Sequence, residues 1–242
     1  RQRTQSWDQL SEAEVRESIA HYWGYCTMMD AIFGELLDGL DATSARDNTL
    51  VLRMSDHGEY CGAHGLYCKG VAAFREAYHI PLIARWPDRI RNPGREERSL
   101  VNLLDFAPTF LELAGVTDVP ESVAGRSLVP LLDGDIPDDW RDTHFTQFNG
   151  VELYYTQRVV QTLNHKYVYN GFDFDELYDL DRDPHEMVNL AESPDCQGIK
   201  KELVRRMWQT ALAEKDIISN PYATVAMAPW GPGVAFEEGN EK

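Results

Sequence analysis

No apolar stretch in these 242 residues approaches the roughly 20 a membrane span needs, and no basic, apolar, small-residue leader opens them. The chain is expected in water. Positive charge is also scarce, at 23 Lys plus Arg against 40 Asp plus Glu, a formal charge of -17. That balance disfavours nucleic acid and anionic membranes by long-range field. A small anionic substrate would need a locally positive pocket. The four cysteines, Cys26, Cys61, Cys68 and Cys196, form no CxxC pair and no zinc-ribbon spacing. A disulfide framework is therefore not expected, although Cys61 and Cys68 flank His64 and keep a disulfide or a soft-metal site in view. Methionine does not open the sequence, so the native start is expected elsewhere and localisation stays open. There is no internal repeat, and the length suits one large α/β domain or a domain and a half.

Apolar periodicity is plentiful. Ser11 is a plausible N-cap with Glu14 three positions on, and the run from Glu12 to about Leu40 carries Tyr22, Trp23, Cys26, Met29, Phe33, Leu36 and Leu37 at helical spacing. The spacing predicts a long amphipathic helix whose aromatics belong to a core, with Asp30 as a buried pairing or functional carboxylate. Thr49 to Met54 is a nearly continuous apolar strand of the kind buried inside a parallel sheet, with Arg53 dissonant. A second strand is expected at Ile80 to Pro87 and a short helical piece at Phe74 to Tyr78. Asp105 to Gly115 fits a helix with Asp105 in its cap region. This alternation argues for a doubly wound α/β sheet. Later the period changes: Gln157 to Thr162, Lys166 to Asn170 and Glu176 to Leu180 predict a small antiparallel sheet, followed by a closing helix from Gly198 to about Lys215 and a surface tail from Asn220. The expected domains are 1–150, α/β, and 151–242, sheet plus helix.

The densest chemistry follows the first strand, in Ser55-Asp56-His57-Gly58-Glu59, His64-Gly65-Leu66 and Lys69. Neighbours on a regular strand face opposite ways, so Asp56 and His57 reach one ion only where the strand stops and the backbone turns, a freedom Gly58 supplies. The carboxyl end of a strand is where open α/β sheets place ligands. A carboxylate oxygen beside a neutral imidazole suits Mg²⁺, Mn²⁺ or Zn²⁺, and Ca²⁺ less readily; two donors do not complete a site. Lys69 could hold one oxygen of a tetrahedral anion, and His64 could donate to that anion or protonate a leaving group. Taken singly, Lys69 reads as a solvated surface charge and His64 as a loop histidine; their joint spacing with Asp56 and His57 shifts that reading. His185-Glu186 opens like a zincin helix, but Asn189 stands where the second histidine belongs. His79, His144 and His165 read as structural.

Several ordered blocks together resemble the second half of a sulfatase of the alkaline phosphatase superfamily: Ser55 to Glu59, Gly62 to Gly70, Glu76, Ile80-Pro81-Leu82-Ile83 with Trp86-Pro87, Leu104 to Thr109, Gly125-Arg126-Ser127-Leu128, and Glu176 to Leu180 through Asp183-Pro184, Glu186 and Asn189-Leu190. The likeness covers about Trp23 to Leu190, and the Asp-His form looks closer to the choline sulfatase and phosphonate monoester hydrolase branch. It implies that Asp56 and His57 ligate one divalent cation, Ca²⁺, Mg²⁺ or Mn²⁺, that Lys69 binds sulfate and the charge developing on the nucleophile, and, as a weaker transfer, that His64 assists. It implies a sulfate ester of a small molecule or glycan as substrate, with a phosphonate monoester or phosphodiester as the alternative. The family's nucleophile, a formylglycine made from cysteine, lies in a Cys-x-Pro-x-Arg or similar block, and no cysteine here has that context. The expectation is therefore a C-terminal portion, inactive alone, whose partner is an N-terminal sulfatase half; a non-catalytic remnant or subunit is the other reading. Half a wound sheet leaves open edges and apolar surface, so the chain alone is expected to be poorly soluble or to form homo-oligomers.

Overall fold

The computed structural model describes residues 9–70, 72–120, 122–150, 155–171, 173–216 and 218, so the tail expected from Asn220 lies outside the described residues. The chain divides into two compact units, one of Arg1–Lys69, Phe74–Glu97 and Leu103–Asp138, the other of Gly70–Ala73, Arg98–Asn102 and Asp139–Lys242.

In the first unit, helix α1 runs over Glu12–Asp41. It starts where Ser11 and Glu14 satisfy each other's backbone: the Ser11 amide donates to Glu14 Oε2 at 2.7 Å and the Glu14 amide to Ser11 Oγ at 3.3 Å. Among the described residues its apolar side chains form no buried core. The helix has no buried residue, and Trp23 is 68% exposed. Helical periodicity reports a face and is silent on what covers it. Asp30, which the sequence left open as a buried capping or pairing carboxylate or as a functional one, is exposed and pairs with Arg53, whose guanidinium also lies 4.9 Å over the Phe33 ring. The dissonant strand residue is thus a tie to the helix.

Strand β1, Val51–Met54, pairs with β2, Leu82–Arg85, in the register Val51↔Arg85 to Met54↔Leu82. The pairing is antiparallel and neither strand is fully buried, which corrects the expectation of buried parallel strands. A continuous apolar run specifies a strand and leaves its partner's direction open. Between them lies α2, Arg75–Tyr78. Helix α3, Phe106–Leu113, follows Asp105, whose side chain leaves the helix uncapped and instead accepts from the Arg126 amide at 2.8 Å. Thr109 Oγ1 in turn accepts from Leu128 N at 2.8 Å, which seats the short α4, Val129–Asp133.

The second unit is a four-stranded antiparallel sheet in sequential order: β3 His144–Phe148, β4 Gln157–Gln161, β5 His165–Tyr169 and β6 Glu176–Asp179. Three of these were expected; β3 adds a fourth. Helix α5, Gln197–Ala213, lays Leu203, Val204, Met207, Trp208 and Ala211 against Val160, Tyr167 and Leu177. Its i, i+1, i+4, i+5, i+8 pattern is a stripe that a half-buried sheet face can accept. Small antiparallel sheet and closing helix are both as the period change predicts. Two ion pairs are sealed into this unit, Arg158 with Asp216 and Lys166 with Glu186, the latter at 2.5 Å.

Candidate functional site

Strand β1 stops at Met54, and the next four residues turn the chain. Ser55 Oγ donates to the His57 carbonyl at 2.6 Å, and the His57 amide donates back to Asp56 Oδ1 at 2.9 Å. Gly58 then docks against the α2 segment: its amide donates to the Ala77 carbonyl at 2.9 Å, and a Cβ there would lie 1.8 Å from the Glu76 carbonyl oxygen. The glycine is required by close backbone approach. Gly58→Ala must push β1's end off α2. The expected cost is about 1–3 kcal/mol in denaturant unfolding, with the acid–imidazole pair displaced; wild-type stability in this variant would contradict the tight contact.

Docked this way, the turn aims both side chains outward together. His57 Nδ1 lies 2.9 Å from its neighbour's carbonyl, Gly58 O. A carbonyl only accepts, so Nδ1 carries the proton and Nε2 keeps its lone pair in the neutral ring. That Nε2 is 3.3 Å from Asp56 Oδ2 and in direct contact with Lys69 Nζ. Asp56, Lys69 and the imidazole therefore converge on one point. Asp56 is 81% exposed, and its carboxyl is held below the usual range first by the hydrogen bond from the His57 amide, with the neighbouring Lys69 ammonium adding to it. The carboxylate stays ionised at neutral pH, as a cation ligand must.

Oxygen and nitrogen donors bound to one small divalent cation at about 2.0–2.4 Å sit roughly 3 Å apart. The 3.3 Å between Asp56 Oδ2 and His57 Nε2 is a spacing that two donors to one ion would have, and the Gly58 carbonyl holds the tautomer whose Nε2 lone pair would face it. Among the described residues no group of three or more His, Cys, Asp or Glu side chains could hold a metal, so the pair is a partial donor set.

His64 makes its contacts elsewhere. It sits at φ 53° in the Ala63–Gly65 turn, stacks on Phe74 at 3.6 Å, and places Nε2 3.5 Å from Glu76 Oε2. Only 10% of its side chain is exposed, against 40% for His57. The geometry brings Asp56, His57 and Lys69 together and turns His64 toward Glu76. Glu76 is a partner that sequence reasoning left without a role; no local signal tied it to His64. Glu59 was equally silent, and its Oε1 accepts from the amides of both Cys61 and Cys68.

Two family models match the chain: Sulfatase over residues 2–116, and N-sulphoglucosamine sulphohydrolase, C-terminal, over residues 62–213. The multifunctional alkaline phosphatase superfamily protein PehA of Trinickia caryophylli is 31% identical over 221 residues, covering 86% of this chain and 43% of that protein. The choline-sulfatase of Rhizobium meliloti (strain 1021) is 33% identical over 187 residues, covering 76% of this chain and 35% of its own length. Among solved structures, a 2-O GAG sulfatase superposes with a TM-score of 0.81 at 29% identity, covering 89% of this chain and 47% of that one. This chain thus spans less than half the length of these relatives, and it shares an α/β fold with them, with small antiparallel sheets and a closing helix. By the family models, the shared blocks and the common fold, the chain belongs to the sulfatase family of the alkaline phosphatase superfamily.

Proposed function

We propose that this chain contributes the acid–imidazole part of a divalent-cation site and the anion-holding lysine of a sulfatase-type hydrolase acting on a sulfate ester of a small molecule or glycan. The observation that carries the reading is the convergence of Asp56, His57 and Lys69 on His57 Nε2. Asp56 Oδ2 and His57 Nε2 would hold the cation. Bound there, it would draw charge from the ester oxygens as a Lewis acid. Lys69 offers a compact ammonium with three donors to one oxygen of the anion. The Gly58 carbonyl keeps the imidazole in its metal-binding tautomer, and Gly58 itself keeps the turn against α2. The 2-O GAG sulfatase among the related structures supports a sulfated sugar as substrate.

No cysteine in this sequence lies in the Cys-x-Pro-x-Arg setting of the family nucleophile. The formylglycine and the remaining cation ligands are therefore assigned to residues outside these 242, and the chain alone to an inactive state. With that missing half supplied, aryl sulfate hydrolysis should appear, vanish with a chelator and return with added divalent cation. Lys69→Ala should raise KM and lower kcat/KM by about 100-fold or more, the scale of removing one preorganised donor. Undiminished hydrolysis in Lys69→Ala, or activity indifferent to chelator, would remove the assignment.

A phosphonate monoester or phosphodiester is the second reading, since cation and lysine serve either tetrahedral anion; a multifunctional superfamily member among the relatives favours it. Side-by-side assay of aryl sulfate and aryl phosphodiester separates the two. A non-catalytic role is the third, and tight cation binding that arises only on mixing with the N-terminal half would argue against it.

A further inference from the structure

The segment between the acid–imidazole pair and Lys69 is folded back on itself. The Tyr60 amide donates to the Cys68 carbonyl at 3.1 Å and the Gly62 amide to the Leu66 carbonyl at 2.7 Å, so residues 60–62 run alongside 66–68. Across the neck of this loop stands Glu59. Its single oxygen Oε1 accepts from the Cys61 amide, at 3.3 Å, and from the Cys68 amide. Two peptide nitrogens on one oxygen bring the two cysteine backbones side by side. Both residues hold positive φ, 47° and 60°, and both thiols are free, Cys61 half-buried and Cys68 exposed. A disulfide needs Cα atoms about 4.4–6.8 Å apart, a span that two amides sharing one carboxylate oxygen allow.

We propose that Cys61 and Cys68 are a redox-responsive pair that closes to an intraloop disulfide, tying the neck of the loop that carries His64 and ends beside Lys69. This inference is independent of what the site hydrolyses. A low-molecular-weight disulfide of the glutathione class supplies the oxidising equivalents. The exposed Cys68, as thiolate, attacks one sulfur of that reagent, forms a mixed disulfide and expels a glutathione thiolate. The Cys61 thiolate then attacks Cys68 Sγ, forms the intraloop bond and expels the second glutathione thiolate. Both thiol protons pass to solvent, and one disulfide is reduced for the one formed. Burial, then the charge of Glu59 and the neighbouring Cys26 and Cys68, push the Cys61 thiol up to about 11, with Tyr22 and Tyr67 the other titratable groups beside it. Closure therefore accelerates as pH rises.

Arg53 and Lys69 bracket the two cysteines, so both fall in one tryptic peptide, Met54 to Lys69. The fully reduced chain is incubated with oxidised glutathione in native buffer and, in parallel, in urea, then alkylated, digested and weighed. In native buffer that peptide should become lighter by its two thiol hydrogens and refuse alkylation. It should do so several-fold faster than in urea, with Cys26 and Cys196 still alkylated, and dithiothreitol should reverse it. Cys61→Ser should stop at a glutathione adduct on Cys68. A cross-link to the peptide that carries Cys26, a rate no faster than in urea, or a pair that stays fully alkylatable would each overturn the proposal.

Discussion

Asp56→Ala is expected to lower cation-dependent aryl sulfate hydrolysis by more than about 100-fold when the chain is assayed with the proposed N-terminal sulfatase half. Removing a residue that merely orients a metal ligand costs about 10–100-fold in affinity or activity, and Asp56 is proposed as a ligand itself. Its carboxylate is ionised well below neutral pH because the His57 amide and the nearby Lys69 ammonium favour the charged form. Alanine removes the only formal negative charge in the Asp56, His57 and Lys69 set, and a cation facing Lys69 without it meets repulsion. Isothermal titration should show the same loss in cation affinity. Stability should barely change, since Asp56 is 81% exposed and supports only its own turn. Hydrolysis and cation affinity both at wild-type level in Asp56→Ala would sink the cation-site reading, whatever the substrate.

The largest stability effect is expected at Asp216→Ala. Arg158 is fully buried, and its guanidinium meets Asp216 through two hydrogen bonds of 2.6 Å, with a third from Nη1 to the Gln157 carbonyl at 2.7 Å. Asp216 also accepts from the Ile218 amide at 3.0 Å, so it ties down the chain after α5. Alanine leaves an always-charged guanidinium in a dry site. Breaking one side of such a pair costs about 3–5 kcal/mol, most of it the unpaired charge. Urea unfolding followed by tryptophan fluorescence should therefore show a much lower midpoint. Replacing both partners together with apolar residues of similar volume should recover most of the loss. A change below about 1 kcal/mol in Asp216→Ala would mean that water reaches Arg158.

Local patterns were legible wherever the cause is local. The Ser11–Glu14 box, the stripe of α5 and the strands of the small sheet need only neighbouring residues, and each lies within a residue or two of its expected place. The Asp56-His57-Gly58 turn was legible for the same reason: a glycine that stops an apolar strand leaves its flanking donors nowhere to point but one side. Long-range facts were not. That β1 and β2 run antiparallel, that none of the α1 residues is buried among the described residues, and that Arg158 awaits a carboxylate 58 positions later are all settled by partners the local pattern does not specify.

His64 shows the division most clearly. Its spacing with Asp56, His57 and Lys69 offered it as a donor to the anion that Lys69 holds, while taken singly it read as a loop histidine. The folded chain instead gives it a left-handed backbone, stacks it on Phe74 and turns it to Glu76. The order of residues determined which donors exist and where a strand must end, because covalent spacing and backbone sterics act over a few bonds. Which donors meet, which face is covered and which charge is neutralised were decided by tertiary packing, because those energies depend on distances between segments far apart along the chain.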